Sequence, residues 1–506
     1  MRPRFEHAAR GIFSFPAVLA AGLAVLCVLT ARGRLADPDL WWHLKMGEVI
    51  WKNRAIPRTD LFSYTTNHHA IVPHEWLAQV TIYAAWALGG YTGLMVWLCV
   101  ATSLLVIAAY ALAAVYSGNA KVALLGGLVT WFFATTGFSI RPQLLGYLLL
   151  VCELLIIEIA RHYRPGWYLL LPPLFALWVN LHGSFFLGLM VLAVVLGCSF
   201  LDFHAGLLAA SRRPARERWW LASALGFSVA ALFLNPAGLR QVLYPLDVML
   251  KQPVQKIMIA EWRHLDFSDP RALAAVAAAA AVLLLPLALR GSLGIEELLL
   301  VALGLCLAMK HERLLFVSGI LAAPVLCRLL ADSWDRYDPL RDCPRANAVA
   351  LALAAIVIAW GFPGCAGLAR EAAEANPVKA VEYLRQSGLT GRMLNDYRFG
   401  GYLIWTAPEH PVFVDERAEI FEWTGVLRDY LRWTSVDEDP NLLLDKYRIA
   451  FCLLARDTAI ARVMRLLPGW KQVYSDNRAV IFVRNAIPSR IVANGIARKD
   501  DWKLDR

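Results

Sequence analysis

Two aspartates, Asp37 and Asp39, stand two residues apart in the stretch RLADPDLWWHLKMGEVI, directly after the first long apolar run of the chain. His43, His68, His69, His74 and Glu75 follow in the same loop, a dense share of the eleven histidines present. Carboxylates beside a bilayer are costly unless they are solvated or used. The bland reading is a solvated Asp-Pro turn. The sharper one is chemical: a positioned carboxylate can take the proton of an acceptor hydroxyl. A phosphate tethered to a lipid lies at that same depth, and as a leaving group it needs cationic donors, for which arginine is well shaped. The candidate catalytic residues are therefore Asp37, Asp39 and Glu75. The candidate substrate and phosphate ligands are His43, His74, Arg141, His182, Arg263, Lys310 and Arg313. Asp37, Asp39 and Glu75 could also hold a divalent ion such as Mg or Mn that neutralises phosphate. Together these residues suit the transfer of a sugar from a lipid-linked phosphate donor.

The elements that must position these groups are apolar. Of 506 residues 58% are hydrophobic and only 18% charged, and apolar runs of helix length recur from 11 to about 365. A polytopic α-helical membrane protein is expected, not a barrel of alternating strands. The runs are 11–31, 91–116, 121–138, 142–160, 167–181, 183–202, 217–235, 271–289, 292–309, 312–330 and 346–366. That makes about eleven membrane-spanning helices, some of them short. With the N-terminus in the cytoplasm, the inner loops include SRRPARER and the run 328–345, both rich in arginine. The stretch HEWLAQVTIYAAWALGG is too short to span before its Gly-Gly break and is expected as an interfacial helix of the first outer loop. Trp41, Trp42 and Trp76 are expected to anchor that loop at headgroup depth. The formal charge of +10 is explained by the orienting loops, so nucleic acid is not an expected partner. The nine cysteines form no metal or disulfide spacing.

After 366 the composition changes. Helix is expected at AVEYLRQSGL and FGGYLIWTAP, and strand at GRMLND, PVFVDERAE, RIAFCLLA and twice in WKQVYSDNRAVIFVRN. The chain thus divides into a transmembrane domain, 1–366, and a small α/β domain with a largely parallel sheet, 367–506, on the non-cytoplasmic side. In VDERAE, the residues Asp415, Glu416 and Arg417 could serve catalysis, bind the acceptor, or form a local salt-bridged turn.

An acid pair at the exit of the first helix resembles the glycosyltransferase C superfamily, whose members include protein O-mannosyltransferases, lipid A aminoarabinose transferases and oligosaccharyltransferase catalytic subunits. More specifically, DPDLWWHLKMGEVI, DLFSYT, HEWLAQV, NLHGSFFLGL, LNPAG, FGGYLIW and VFVDERAE resemble a group of bacterial integral membrane proteins across nearly the whole chain. The resemblance implies an acid motif that is catalytic, here Asp37 and Asp39 with Asp37 preferred as the base, interfacial helices after it, and a polyprenyl-phosphate sugar as donor. One departure is VPHEWL, which stands where the aminoarabinose branch has a Pro-Pro-Leu element, so that branch's sugar and acceptor do not carry over. The expected partners are the lipid-linked donor, the bilayer and an extracytoplasmic glycan, lipid or protein acceptor. The expected location is the bacterial inner membrane. A non-catalytic envelope assembly or scaffold protein and an O-antigen polymerase or ligase are the rival readings.

Overall fold

A computed structural model describes residues 11–66, 68–254 and 262–485. The basic N-terminal head, part of the long loop before Trp262, and the end of the tail lie outside the described residues.

Each of the eleven apolar runs is helical. Among the described residues four helices are long and apolar enough to cross a membrane by length and composition, and others are apolar but shorter. The helix Trp76–Ser117 is broken where Gly89 and Gly90 leave helical geometry, Gly90 with a φ of 55° that favours glycine. The chain doubles back there: the Trp97 indole donates to the Thr81 hydroxyl at 3.2 Å, and Gly93 lies against the Ala85 carbonyl. The arm 76–88 rises about 20 Å, short of a bilayer's hydrocarbon. It packs on helix Asp39–Asn53, where Gly47 admits the Gln79 carbonyl so closely that a Cβ would meet it at 2.2 Å.

Helix Pro142–His162 sets the two ends of the body apart. Arg141 precedes its first turn and Arg161 sits in its last, about 30 Å away along the axis. At the Arg161 end, Arg161, Arg213 and Arg328 pair with Glu158, Glu217, Glu296 and Glu297. A small sheet of Phe203–Ala205, Leu208–Ala210 and Leu293–Gly294, which the sequence did not announce, lies beside them. The acid loop, with Asp37 against Arg141, is at the other end.

The tail sheet is mixed, not largely parallel. Its order is Arg392–Asn395, Ile449–Ala455, Ala479–Arg484, Trp470–Ser475, with only the first pair parallel. The tight turn at Asp476, which accepts from the Arg478 and Ala479 amides, makes the last two strands a hairpin and so antiparallel. PVFVDERAE is not a strand. Its backbone is satisfied instead by side chains and by the first loop. The Asn395 amide donates to the Val414 carbonyl at 2.7 Å and accepts from the Phe413 amide at 2.8 Å. The Val412 amide donates to the Phe62 carbonyl at 3.1 Å.

Residues on both sides of 366 share one apolar core, from Leu23, Trp41 and Leu98 to Leu384, Leu403 and Phe451. Trp41 is 1% exposed, edge-on to Tyr402 at 5.2 Å. Trp42 is buried too. Both are therefore core residues that dock the tail, not headgroup anchors. Trp76 is partly buried and donates to the Asn180 side chain at 2.7 Å.

The tail is also held by charge. Arg417 donates to Asp60 at 2.5 Å and to both oxygens of Asp415, at 2.8 and 2.6 Å, with the Arg417 side chain 2% exposed. Removing one partner of a buried ion pair costs about 3–5 kcal/mol, because the other charge stays buried. Asp60→Ala is expected to lower the thermal unfolding midpoint in detergent by that order of stability, and Asp60→Asn, which keeps an acceptor, by less. Equal midpoints for Asp60→Ala and the native protein would show that the cluster does not hold the tail.

Candidate active site

The Asp-Pro-Asp turn is built by its own side chain: Asp37 Oδ1 accepts from the Asp39 amide at 3.0 Å, which starts helix Asp39–Asn53. Arg141 meets this turn from a second helix start, where Pro142 occupies the first helical position. Its Nε donates to Asp37 Oδ2 at 2.6 Å and its Nη2 to Asp37 Oδ1 at 2.9 Å, and Nη2 lies 3.1 Å from Asp39 Oδ2. Burial pushes the Asp37 carboxyl up, but the Arg141 charge and hydrogen bonds outweigh it and hold it below the ordinary carboxylate range. Asp37 is therefore ionised and occupied.

A cavity of about 380 Å³ opens beside this pair. Its polar lining includes Asp39, His43, His74, Glu75, Arg141, Gln143, His182 and Arg313, and from the tail Glu416, Arg417 and Glu419. Phe186, Leu187, Met190, Val248 and Leu307 give it an apolar side. A second compartment of about 320 Å³ adjoins it, lined by Asp37, Arg34, Ser139 and Glu312, and shares Pro38, Arg141, Gln143 and Arg313 with the first. Arg313 donates to the Gln143 carbonyl oxygen at 3.1 Å and stacks over Trp262 at 4.6 Å.

Glu75 is ringed by imidazoles: His74 Nε2 and His182 Nε2 at 3.5 Å each, and His43 Nδ1 at 4.0 Å. Burial raises the Glu75 carboxyl, yet the charge and hydrogen bond of His74, with the two other rings, bring it below the ordinary range. Burial lowers His74, but Glu75 overrides this and raises it, so the two form an ion pair. Tail carboxyls behave oppositely. Burial first, and then the charges of Asp39 and Asp415, push Glu416 well above the carboxylate range, and burial raises Glu419.

Of the residues expected from sequence, Asp37, Asp39, Glu75, His43, His74, Arg141, His182 and Arg313 meet around these two compartments. Arg263 and Lys310 do not: both are exposed and line neither. The Arg263 carbonyl accepts from the Glu312 amide at 3.0 Å, and Lys310 ends helix Ile295–Lys310, both with exposed side chains. Gln143, Tyr244, Tyr397 and Glu419 were not foreseen as site residues, and Glu416 was weighed only as one reading of VDERAE. Only the acids in VDERAE gave a signal, being charged residues inside an otherwise apolar extended segment. That segment is a salt-bridged turn, as Arg417 and Asp415 show, and also part of the cavity wall.

Asp37, Asp39 and Glu75 do not converge as a divalent-ion site. Arg141 takes the place a cation would need between the aspartates, and Glu75 faces imidazoles. Among the described residues no group of three or more His, Cys, Asp or Glu is arranged to hold a metal.

No family model matches the chain, and no curated protein matches it by sequence. Solved structures do. The oligosaccharyltransferase of Archaeoglobus fulgidus in its apo form matches with a TM-score of 0.54 at 11% identity, over 94% of this chain and 75% of that one. The same enzyme tethered to an acceptor peptide matches with 0.56 at 11%, over 95% and 76%. ArnT from Cupriavidus metallidurans bound to undecaprenyl phosphate matches with 0.52 at 13%, over 92% and 97%. A further oligosaccharyltransferase structure is a complex with Zn and sulfate. The chain thus shares its overall fold with these solved structures. With its apolar helices this makes it a multi-pass membrane protein.

Burial pushes His43 and His182 down to about 4 against the pull of Glu75. In the unfolded chain both titrate near the ordinary value of about 6.5. Between these values the unfolded chain binds protons that the native site refuses. Stability should therefore fall as pH drops from about 6.5 towards 4, by up to about 1.4 kcal/mol per pH unit for each histidine. His182→Gln is expected to flatten the acid limb of the unfolding midpoint measured against pH. An unchanged slope would mean that His182 is already charged in the native protein.

Proposed function

We propose that this protein is a glycosyltransferase that moves a sugar from a polyprenyl-phosphate-linked donor to an acceptor on the non-cytoplasmic side of the bacterial inner membrane. One observation carries the reading. Asp39, Arg141, Arg313 and an apolar wall meet in a single cavity, with Asp37 held by Arg141 in the adjoining compartment, an arrangement suited to bringing a lipid tail, its phosphate and an acceptor together. The likeness in fold to enzymes of this class supports it. The cluster of Arg161, Arg213 and Arg328 at the far end of the body supports a cytoplasmic location for that end. The 367–506 domain then lies outside, over the site.

We favour Asp39 over Asp37 as the base. Both Asp37 oxygens carry an Arg141 hydrogen bond, whereas Asp39 lines the larger cavity. Asp39 accepts the proton of the acceptor hydroxyl. The acceptor oxygen bonds the anomeric carbon as the bond from that carbon to the phosphate oxygen breaks. The phosphate leaves with the electron pair, its charge met by Arg313 and Arg141. No metal is needed for these steps as written, and none is assigned.

Asp39→Asn is expected to lower sugar transfer at least about 100-fold, the usual contribution of a positioned base. The measurement is mass spectrometry of envelope glycolipids, glycans and glycoproteins from cells carrying either form at equal expression. Arg313→Ala is expected to weaken binding of undecaprenyl phosphate about tenfold or more. Unchanged products with Asp39→Asn would remove the enzymatic reading and favour an assembly protein.

A further inference from the structure

The tail does more than cover the cavity. Glu416 reaches the acid loop across Gly401, whose missing side chain is what allows the approach. A Cβ there would meet the Pro38 carbonyl at 2.7 Å, Glu416 Oε2 at 2.9 Å and the Trp42 amide at 3.4 Å. Glu416 Oε2 accepts from the Gly401 amide at 2.8 Å. Its other oxygen, Oε1, is buried and has no hydrogen-bond partner among the described residues. A buried polar atom without a partner is rare and costly. The side chain that carries it lines the cavity, so a ligand group there could supply the missing partner. Glu419 lines the same wall and is joined by the Tyr244 hydroxyl, with His74 against the Tyr244 ring at 4.4 Å.

The surroundings select the ligand. Asp39 and Asp415 lie near Glu416, the positive charge of Arg417 is taken by Asp60 and Asp415, and the Tyr397 hydroxyl donates to the Glu416 carbonyl. An anionic group would be repelled here. Burial among these acids favours the neutral carboxyl, which donates as well as accepts, as a sugar hydroxyl does. A peptide laid along the wall would need open backbone groups, and those of the tail segment at Val412, Phe413 and Val414 are already bonded to Phe62, Thr65 and Asn395.

We infer that Glu416 and Glu419 form an acceptor subsite for a neutral, hydroxyl-rich group, the sugar of a glycan or glycolipid, with Glu416 hydrogen-bonding a hydroxyl beside the one that Asp39 deprotonates. This rests on the sugar-transfer reading above. The test compares envelope products, by mass spectrometry, from cells with the native protein, Glu416→Gln, Glu416→Ala and Glu416→Met. Purified forms are examined in parallel for binding of undecaprenyl phosphate. Glu416→Gln keeps a donor and an acceptor and should retain product within about threefold, whereas Glu416→Ala should lose about tenfold or more, the worth of one such hydrogen bond. Glu416→Met, of similar volume, should match Glu416→Ala and decides the matter if the smaller variant unfolds. All forms should bind undecaprenyl phosphate equally, and the added sugar should sit on a glycan or glycolipid. Full product with Glu416→Met, loss of undecaprenyl phosphate binding in it, or a sugar added to protein would overturn the subsite. A native protein that adds no sugar at all would instead overturn the transfer reading on which it rests.

Discussion

One guanidinium holds the site together. Two carboxylates two residues apart, beside a layer of low dielectric, repel each other and lose hydration, so both stay ionised only with a counter-charge at contact distance. Arg141 supplies it with two hydrogen bonds to Asp37 and a contact to Asp39. Because the acids begin one helix and Arg141 begins another, the same contact fixes two helix starts against each other. It also divides the work between the two arginines. Arg141 has much of its donor capacity committed to the acids. Arg313 has a neutral partner in Gln143 and the face of Trp262, which position it without spending its charge. For the phosphate of the proposed donor, Arg313 is thus the better placed of the two.

The second constraint is how the tail reaches the same place. Burying Arg417 with Asp60 and Asp415 carries a desolvation penalty that the ion pairs offset only when every donor is used. Here Nε, Nη1 and Nη2 each have a carboxylate partner. Such a cluster contributes little net stability over an apolar substitute, but it is intolerant of any other docking. A slip of the tail by one residue would strand a charge. The contact therefore sets where Glu416 and Glu419 stand relative to Asp39, and Gly401 sets how near.

What the sequence revealed, and what it did not, follows from the range of the forces involved. The apolar runs appear as helices, because burial of a long apolar segment is decided by local composition. The Gly-Gly break at Gly89 and Gly90 is likewise local, and the chain turns there. Trp41 and Trp42 looked like interfacial anchors because tryptophan is common at headgroups. They are instead covered by Tyr402 and its neighbours, from a segment some hundreds of residues away, which no local pattern reports. The strand expected at PVFVDERAE failed for a similar reason. Its alternation is strand-like, but its backbone partners are the Asn395 side chain and the Phe62 carbonyl, so no ladder forms. Arg141 and Arg313 were legible as charges on one face. Arg263 and Lys310 carried the same signal and point to solvent, so charge and topology alone could not separate the two pairs.

The cavity has two kinds of polar wall, and their contrast limits what can occupy it. Around Arg141, Arg313 and His74 the groups are cationic or paired with an anion, so a phosphate there gains charge-assisted hydrogen bonds. Around Glu416 and Glu419 burial favours neutral carboxyls, where the same phosphate would face acids and a neutral polyol would find partners. Asp39 belongs to both walls, since it touches Arg141 on one side and lies near Glu416 on the other. In the proposed reaction a carboxylate at that junction would be near the leaving group and the attacking hydroxyl at once. On the sugar-transfer reading proposed above, a site so divided would orient its two substrates by charge before any base acts, and binding the pair the wrong way round would put phosphate against carboxyl.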